Sequence, residues 1–374
     1  MKAHIPSHKM QQQHDIASIP IKTRKDTFLF RDATSFLHTP KRPKITTESI
    51  STLSSIATII SPYNVHLSPD HRRFAIQQLM DQTNHVSLKQ FPVAYLMLKQ
   101  ALETELASLP HFLWTFTQPD IIATDDAILL KTIQFVLTDY CNKCHRNAFY
   151  QPKNERSYWI DRVIPIFQTF GDQSQLLGFQ WCEIPTEEHV EFTIDPDTWM
   201  RTTPIKYHDG VGYDINGCSR LVMEGSSSST LKENVLHTQD DTIKTLYASI
   251  EILTSFLRRH ATASFPSLCS VVSYSLQCVC TTITLSITML DPDNVGSYIQ
   301  KEIRSVDIPS SFNKCHLWMQ VFELVAYLFV SLREQEVILE TVMKESSGVI
   351  EVKDEERGLH VLNGIIGTVE PLSV

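Results

Sequence analysis

The sequence predicts an α/β protein: one mixed sheet flanked by helices, with a helical module and a disordered arm ahead of it. Three observations lead there. Thr282–Met289 (TITLSITM) alternates strictly, with Ile283, Leu285, Ile287 and Met289 on one side and Thr282, Thr284, Ser286 and Thr288 on the other. A period of two is that of a strand. From residue 155 onward the apolar pattern switches repeatedly, giving helix, three strands, helix, three strands, helix, an alternation that one layered sheet accommodates. Before that, from 69 to 146, the pattern is helical throughout.

Residues 1–68 are rich in Ser, Thr, Pro, Gln and His without a sustained apolar period, and are expected to be a disordered arm. The helical module at 69–146 opens at Ser68-Pro69-Asp70, a helix-start signal. It continues through a stripe of Leu96, Leu98, Leu102, Leu106 and Leu109 and through DDAILLKTIQFVLTDY. The α/β domain is expected over 147–345. Trp159, Ile160, Val163, Ile164, Phe167 and Phe170 have helical spacing there, with Pro165 as an interruption. LLGFQWCEI, KYHDGVGYDI and RLVMEG read as strands, the last two joined at Asn216-Gly217, where positive φ is available. A helix is expected from about 237 to 260. LCSVVSYSLQCV, TITLSITM and SYIQKEIRSV are the second trio of strands, with Asp291-Pro292-Asp293 as the last turn. A final helix from about Lys314 to Glu340 covers the sheet, and 346–374 forms a tail.

Composition narrows the function classes. The 374 residues carry a net charge of −9, but residues 1–45 hold nine Lys and Arg against Asp15, Asp26 and Asp32, leaving −15 on the remainder. An acidic body argues against broad electrostatic attachment to nucleic acid. The basic arm, with KRPK at 41–44, reads as a solvated tail or an import signal. No secretory h-region is visible at the N-terminus, so an intracellular protein of nucleus or cytoplasm is expected. Residues 261–290 hold no charge, yet the period of two in their tail, TITLSITM, argues for a strand over a membrane span, and Glu323 in the final helix argues likewise; no membrane association is expected. Eight irregularly spaced cysteines suggest reduced thiols. Cys141, Cys144 and His145 match a haem-attachment spacing and half a zinc site, and read as two thiols near a helix end. With glycine scarce at 11 residues and no P-loop, dinucleotide fingerprint or kinase signature, no nucleotide cofactor is expected.

The chemistry concentrates at IKYHDGVGYDINGCSRLVMEGSSSS, residues 205–229. If its two strands pair around 216–217, Asp209 and Glu224 meet near one end of the sheet. Two carboxylates suit Mg²⁺, a hard cation that keeps several waters. Bound there, it lowers the pKa of a water and stabilises charge on a phosphoryl oxygen. These residues and the element order resemble the PD-(D/E)xK nuclease-like superfamily over residues 155 to about 305. That resemblance implies a restriction-endonuclease-like core of helix, three strands, helix and strand, with an acid on the first helix, Asp on the second strand and Glu-x-Lys on the third. Carried over, Glu155 is the helix acid, Asp209 the strand Asp and Glu224 the Glu of the tripeptide. Ser226 stands where the superfamily has lysine. In some members a lysine from the following helix reaches the same place, and Lys244 or Lys232 is the candidate here. The phrases ERSYWIDRVIP, DGVGYD and LVMEGSSSS also resemble a group of uncharacterised fungal proteins, a likeness that implies no activity.

The expected catalytic set is therefore Glu155, Asp209, Glu224 and Lys244, with Asp209 and Glu224 on Mg²⁺ and nucleic acid as substrate. The alternative is a non-catalytic, protein-binding scaffold on the same fold, with the helical module and final helix as its surface. Asp214 reads as an Asx-turn residue, Glu183 as a solvated strand end, and His208 and His237 as loop histidines. Ser226 to Ser229 lack the elbow of a serine nucleophile.

Overall fold

Helix starts follow local chemistry. In the computed structural model, which describes residues 57–64, 67–195, 197–229, 232–233 and 235–361, strand β1 (Ala57–Ile60) precedes helix α1 (Pro69–Thr83). The Ser68 side chain accepts from the His71 amide, and Pro69 sits where no amide partner is needed. Helix α2 (Pro92–Glu103) also begins on proline. After α3 (Leu109–Thr115), helix α4 (Thr124–Cys144) supplies the buried Asp126, whose carboxylate receives the Val93 and Ala94 amides at 3.0 and 2.8 Å. The expected leucine stripe is corrected: α2 stops at Glu103, Leu96 is exposed, and the buried face is Ala94, Met97, Leu98 and Ala101. Their spacing is i, i+3, i+4, i+7.

Helix α5 (Glu155–Tyr158) is capped by Asn154, which accepts from the Ser157 amide at 2.8 Å. A π-helical turn, Trp159–Val163, joins it to α6 (Ile164–Ser174), so the interruption expected at Pro165 is a wide turn just ahead of that proline. There follow β2 (Gly178–Ile184), α7 (Glu187–Phe192), β3 (His208–Tyr213), β4 (Ser219–Gly225), the short β5 (Ser227–Ser229) and β6 (Lys232–Glu233), and α8 (Val235–Arg259). The chain closes with α9 (Phe265–Cys269), β7 (Val272–Val279), β8 (Thr282–Leu290), β9 (Tyr298–Asp307), α10 (Trp318–Ser346) and α11 (Gly358–Val361).

Seven strands form one open sheet in the order β1-β9-β8-β7-β4-β3-β2. β2, β3 and β4 are an antiparallel meander, with Gly217 at φ +79° in its second turn. β7 then runs parallel to β4, a connection that requires a crossover, and α8 makes it. β7, β8 and β9 are antiparallel neighbours. β1 adds in parallel to β9, pairing Ala57 with Tyr298 through Ile60 with Lys301. This corrects the boundary of the expected arm: ATII is a strand at the sheet edge. Residues 1–56 lie outside the described residues. Further along the β9 edge, the Gln82 side chain takes over the role of a neighbouring strand. It donates to the Ser305 carbonyl at 2.6 Å and accepts from the Ser305 amide at 3.1 Å.

Alternate residues divide between two layers of packing. Leu221 and Met223 join one core with residues of α2, α4, α6 and α10, including Leu98, Leu137, Phe167 and Phe329. Val222, between them, packs on Ala248 and Ile252 of α8. The helices at 69–146 thus share a core with the α/β region. By length and composition α10 could cross a membrane, but Val321, Phe322, Leu324, Val325, Leu328 and Phe329 are fully buried in this core. Its Glu323, also fully buried, pairs with Arg304 at 3.1 Å and receives the Ser87 and Leu88 amides at 3.2 and 2.8 Å. Within the expected tail, the Gly358 and Leu359 amides bond back to Ala263 and Ala261 carbonyls at 2.8 and 2.7 Å.

Candidate active site

β3 begins and β4 ends at the same margin of the sheet, and the Ile184–His208 pairing brings the end of β2 there too. Because Val222 faces α8, the period of two turns Glu224 to the same helix. Lys244 of α8 meets it, with Nζ 2.6 Å from Glu224 Oε1. His208 Nδ1 lies 2.7 Å from that same oxygen. Both His208 and Glu224 are buried, at 1% and 2% side-chain exposure, whereas Lys244 keeps 24%. Burial, reinforced by the Lys244 charge, pushes the His208 pKa down to about 3. The imidazole is therefore neutral at physiological pH, and with an ionised carboxylate able only to accept, its proton belongs on Nδ1.

Gly225 comes next and points to the opposite side. Its amide donates to Asp209 Oδ2 at 2.9 Å. A Cβ placed on Gly225 would lie 3.4 Å from Glu155 Oε1 and 3.5 Å from Asp209 Oδ2. Glu155 arrives there because Asn154 caps α5 and leaves an acid in its first turn, where the helix dipole favours negative charge. The small space above Gly225 is thus faced by two hard oxygen donors.

At this margin the four expected residues fall into two pairs, and Asp209 and Glu224, expected on one ion, belong to different pairs. Glu155 and Asp209 converge on Gly225, and Lys244 reaches Glu224 from the helix that follows. Asp209 and Glu224 are held by different partners on either side of the β4 end, so the site straddles the strand. Among the described residues no group of three or more His, Cys, Asp or Glu has an arrangement able to hold a metal ion. The donor chemistry around Gly225 nevertheless fits a hard cation that takes one or two protein carboxylates and fills its remaining positions with water.

The secondary candidates resolve individually. Ser226 is buried, and its hydroxyl accepts from Gln277 Nε2 at 2.8 Å. Asp214 is the expected Asx turn: its Oδ1 receives the Asn216 and Cys218 amides at 2.9 and 3.0 Å, and its Oδ2 pairs with Arg220. Glu183 is exposed and pairs with Arg156 at 3.3 Å. The side chains of Lys232 and His237 lie outside the described residues. Cys141 is packed in the core, where burial pushes its pKa up to about 11.

His208, read from the sequence as a loop histidine, is instead a buried residue that opens β3, and His189, Glu251 and Lys206 were not expected at all. His208 is the direct partner of Glu224. Behind it, His189 of α7 bonds Glu251 of α8 through Nδ1 at 3.0 Å. Its Nε2 accepts the Lys206 amide at 3.0 Å. The adjacency of His208 to Asp209 was the available signal for the first. The others come from separate elements and have no common spacing. Two cavities elsewhere, of about 280 and 440 Å³, lie along β9 and between α2 and α10, and neither is lined by these groups.

Compared with family models, curated proteins and solved structures, the chain shows no match.

Proposed function

We propose that this chain is a metal-dependent phosphodiesterase acting on nucleic acid, built on a restriction-endonuclease-like core. The observation that carries the reading is the contact of Lys244 with Glu224 at 2.6 Å, made from the helix that follows the third strand of the meander. It supplies a cation beside the position where Ser226 replaces the lysine expected from the superfamily. The succession α5–α6, β2, β3, β4, α8, β7, with β7 parallel to β4, supports the same reading.

In this proposal Asp209 and Glu155 would hold Mg²⁺, while Glu224, turned to the α8 side of β4, would hold Lys244. The ion would supply Lewis acidity and a water of lowered pKa. Lys244 would orient the attacking water and offset charge that develops on the phosphoryl oxygens. Glu224 keeps the ammonium in position, and His208 fixes Glu224. The test is cleavage of single- and double-stranded oligonucleotides by the full chain with Mg²⁺ and with EDTA. Metal-dependent cleavage by the wild type, lost in Asp209→Asn and Lys244→Met, is the expected result.

One observation favours a second reading, a non-catalytic scaffold. Glu224 is 2% exposed, and two donors occupy one of its oxygens. A sealed polar network of this kind also suits a purely structural role. Absence of cleavage with Mg²⁺ and Mn²⁺ alike would select it.

A further inference from the structure

Lys244, Tyr247 and Glu251 are three and four residues apart on α8 and so share one face of that helix. Lys206, in the segment entering β3, lies over this face with its ammonium 5.2 Å from the centre of the Tyr247 ring. Its backbone is pinned there, because the Lys206 amide donates to His189 Nε2 at 3.0 Å. That bond leaves the imidazole proton on Nδ1, where it serves Glu251 at 3.0 and 3.2 Å. Glu251 and Glu224, the carboxylates facing this space, each receive a histidine.

Lys206 is partly buried, yet among the described residues its ammonium makes no hydrogen bond or ion pair. Burial lowers its pKa, the Lys244 charge acts in the same direction, and Glu251 opposes both. Stacking on Tyr247 compensates only part of the desolvation of a cation. Lys244 has Glu224 as its one polar contact among the described residues, which leaves further N–H donors. Two ammonium groups close enough to repel, one over Tyr247 and the other a helical turn from Tyr247 on α8, with unused donors beside a candidate phosphodiesterase site, are an arrangement awaiting an anion.

We propose that Lys206 and Lys244, set above Tyr247, form a phosphate-binding subsite for the strand that enters the acidic site. The inference rests on the nuclease reading for the identity of that strand. Lys206 acts by binding, and Lys244 serves both the subsite and the reaction.

The experiment measures binding of a 5′-fluorescein-labelled dT₁₂ oligonucleotide to the full chain in EDTA, by anisotropy across a salt series. Lys206→Met keeps the aliphatic stem over Tyr247, and an unchanged melting temperature verifies its fold. It is expected to weaken binding about tenfold, the scale of one lost charge-assisted contact. The salt slope should fall by about 0.7, the value for one phosphate contact on a single strand. Lys206→Arg should remain within about threefold of wild type, since it restores the charge. Wild-type affinity and slope in Lys206→Met, or no binding by the wild type, would overturn the subsite. Lys206-dependent binding with no cleavage in Mg²⁺ would uphold the subsite and end the nuclease reading. Cleavage with Lys206-independent binding would do the reverse.

Discussion

Gly225→Ala separates the metal proposal from mere folding. The added methyl would stand 3.4 and 3.5 Å from the nearest oxygens of Glu155 and Asp209 and 3.6 Å from Glu155 Cγ. These are ordinary van der Waals separations, so no atom has to move. Alanine in place of glycine also narrows the unfolded ensemble, by about 0.4–1 kcal/mol where the native backbone accepts it. The variant should therefore fold with wild-type stability or slightly more. The methyl nevertheless occupies the space between the two carboxylates, where Mg²⁺ would need oxygens at about 2.1 Å. Mg²⁺-dependent cleavage should fall by about 100-fold or more, as expected when the group stabilising charge in the transition state is lost. The assay pairs initial cleavage rates over a Mg²⁺ titration with a thermal melt of the same preparation. Cleavage at the wild-type rate by a folded Gly225→Ala protein would show that no ion binds above this glycine.

The remaining predictions concern the groups around that space. Lys244→Met removes the ammonium from Glu224, and urea unfolding should show a loss of about 2–3 kcal/mol, below the full cost of breaking a buried pair because Lys244 is partly exposed. His208, with its pKa held at about 3 against an ordinary 6.5, gives a pH signature. Below pH 6.5 the unfolded chain takes up a proton that the folded protein refuses until about pH 3. Stability is thus fully present above pH 6.5 and is lost as pH falls through that window, at up to about 1.4 kcal/mol per pH unit from this residue. Urea midpoints between pH 7.5 and 4 should show a shallower decline in His208→Asn. Glu323→Gln leaves Arg304 charged and buried, and should cost about 3–5 kcal/mol by the same measurement.

Much of the architecture was legible because the strands announce themselves. TITLSITM lies within β8, where Ile283, Leu285 and Ile287 are buried and Thr282, Thr284 and Ser286 are half-buried, the alternation ending at the buried Thr288, and the Asn216-Gly217 turn sets the β3–β4 hairpin. What escaped was fixed by tertiary partners. β1 has four residues and no pattern of its own, and pairing with β9 makes it a strand. Leu96 fits an apolar stripe on paper, yet α2 turns Ala94, Met97, Leu98 and Ala101 inward, and its packing against α4 decides which face is buried. At the site, acids and lysine were readable as candidates from their residue types. The histidine pairs were not, since His189 with Glu251 and Lys206 links α7, α8 and the segment before β3 across 62 and 17 residues of sequence.

The position of Ser226 explains why a lysine would have to come from α8. Its amide bonds the Cys278 carbonyl at 2.8 Å, which extends the β4–β7 pairing one residue beyond Gly225. Its hydroxyl accepts from Gln277, whose own oxygen receives Thr242 Oγ1 at 2.8 Å. Thr242 is two residues before Lys244 on α8. The side chain at 226 is therefore enclosed between β7 and its neighbours, fully buried, in a space fitted to a hydroxyl. A lysine there would have to bury its stem and displace Gln277, loosening the bond that ties β7 to the first turns of α8. With Ser226, Gln277 and Thr242 linked instead, α8 is anchored to the sheet and Lys244 is set in register with Glu224. Ser226→Lys should consequently fail to rescue Lys244→Met, and should lower the melting temperature by severing that link. Restored cleavage in the double variant would show that position 226 can still house the cation, and that the route through α8 is dispensable.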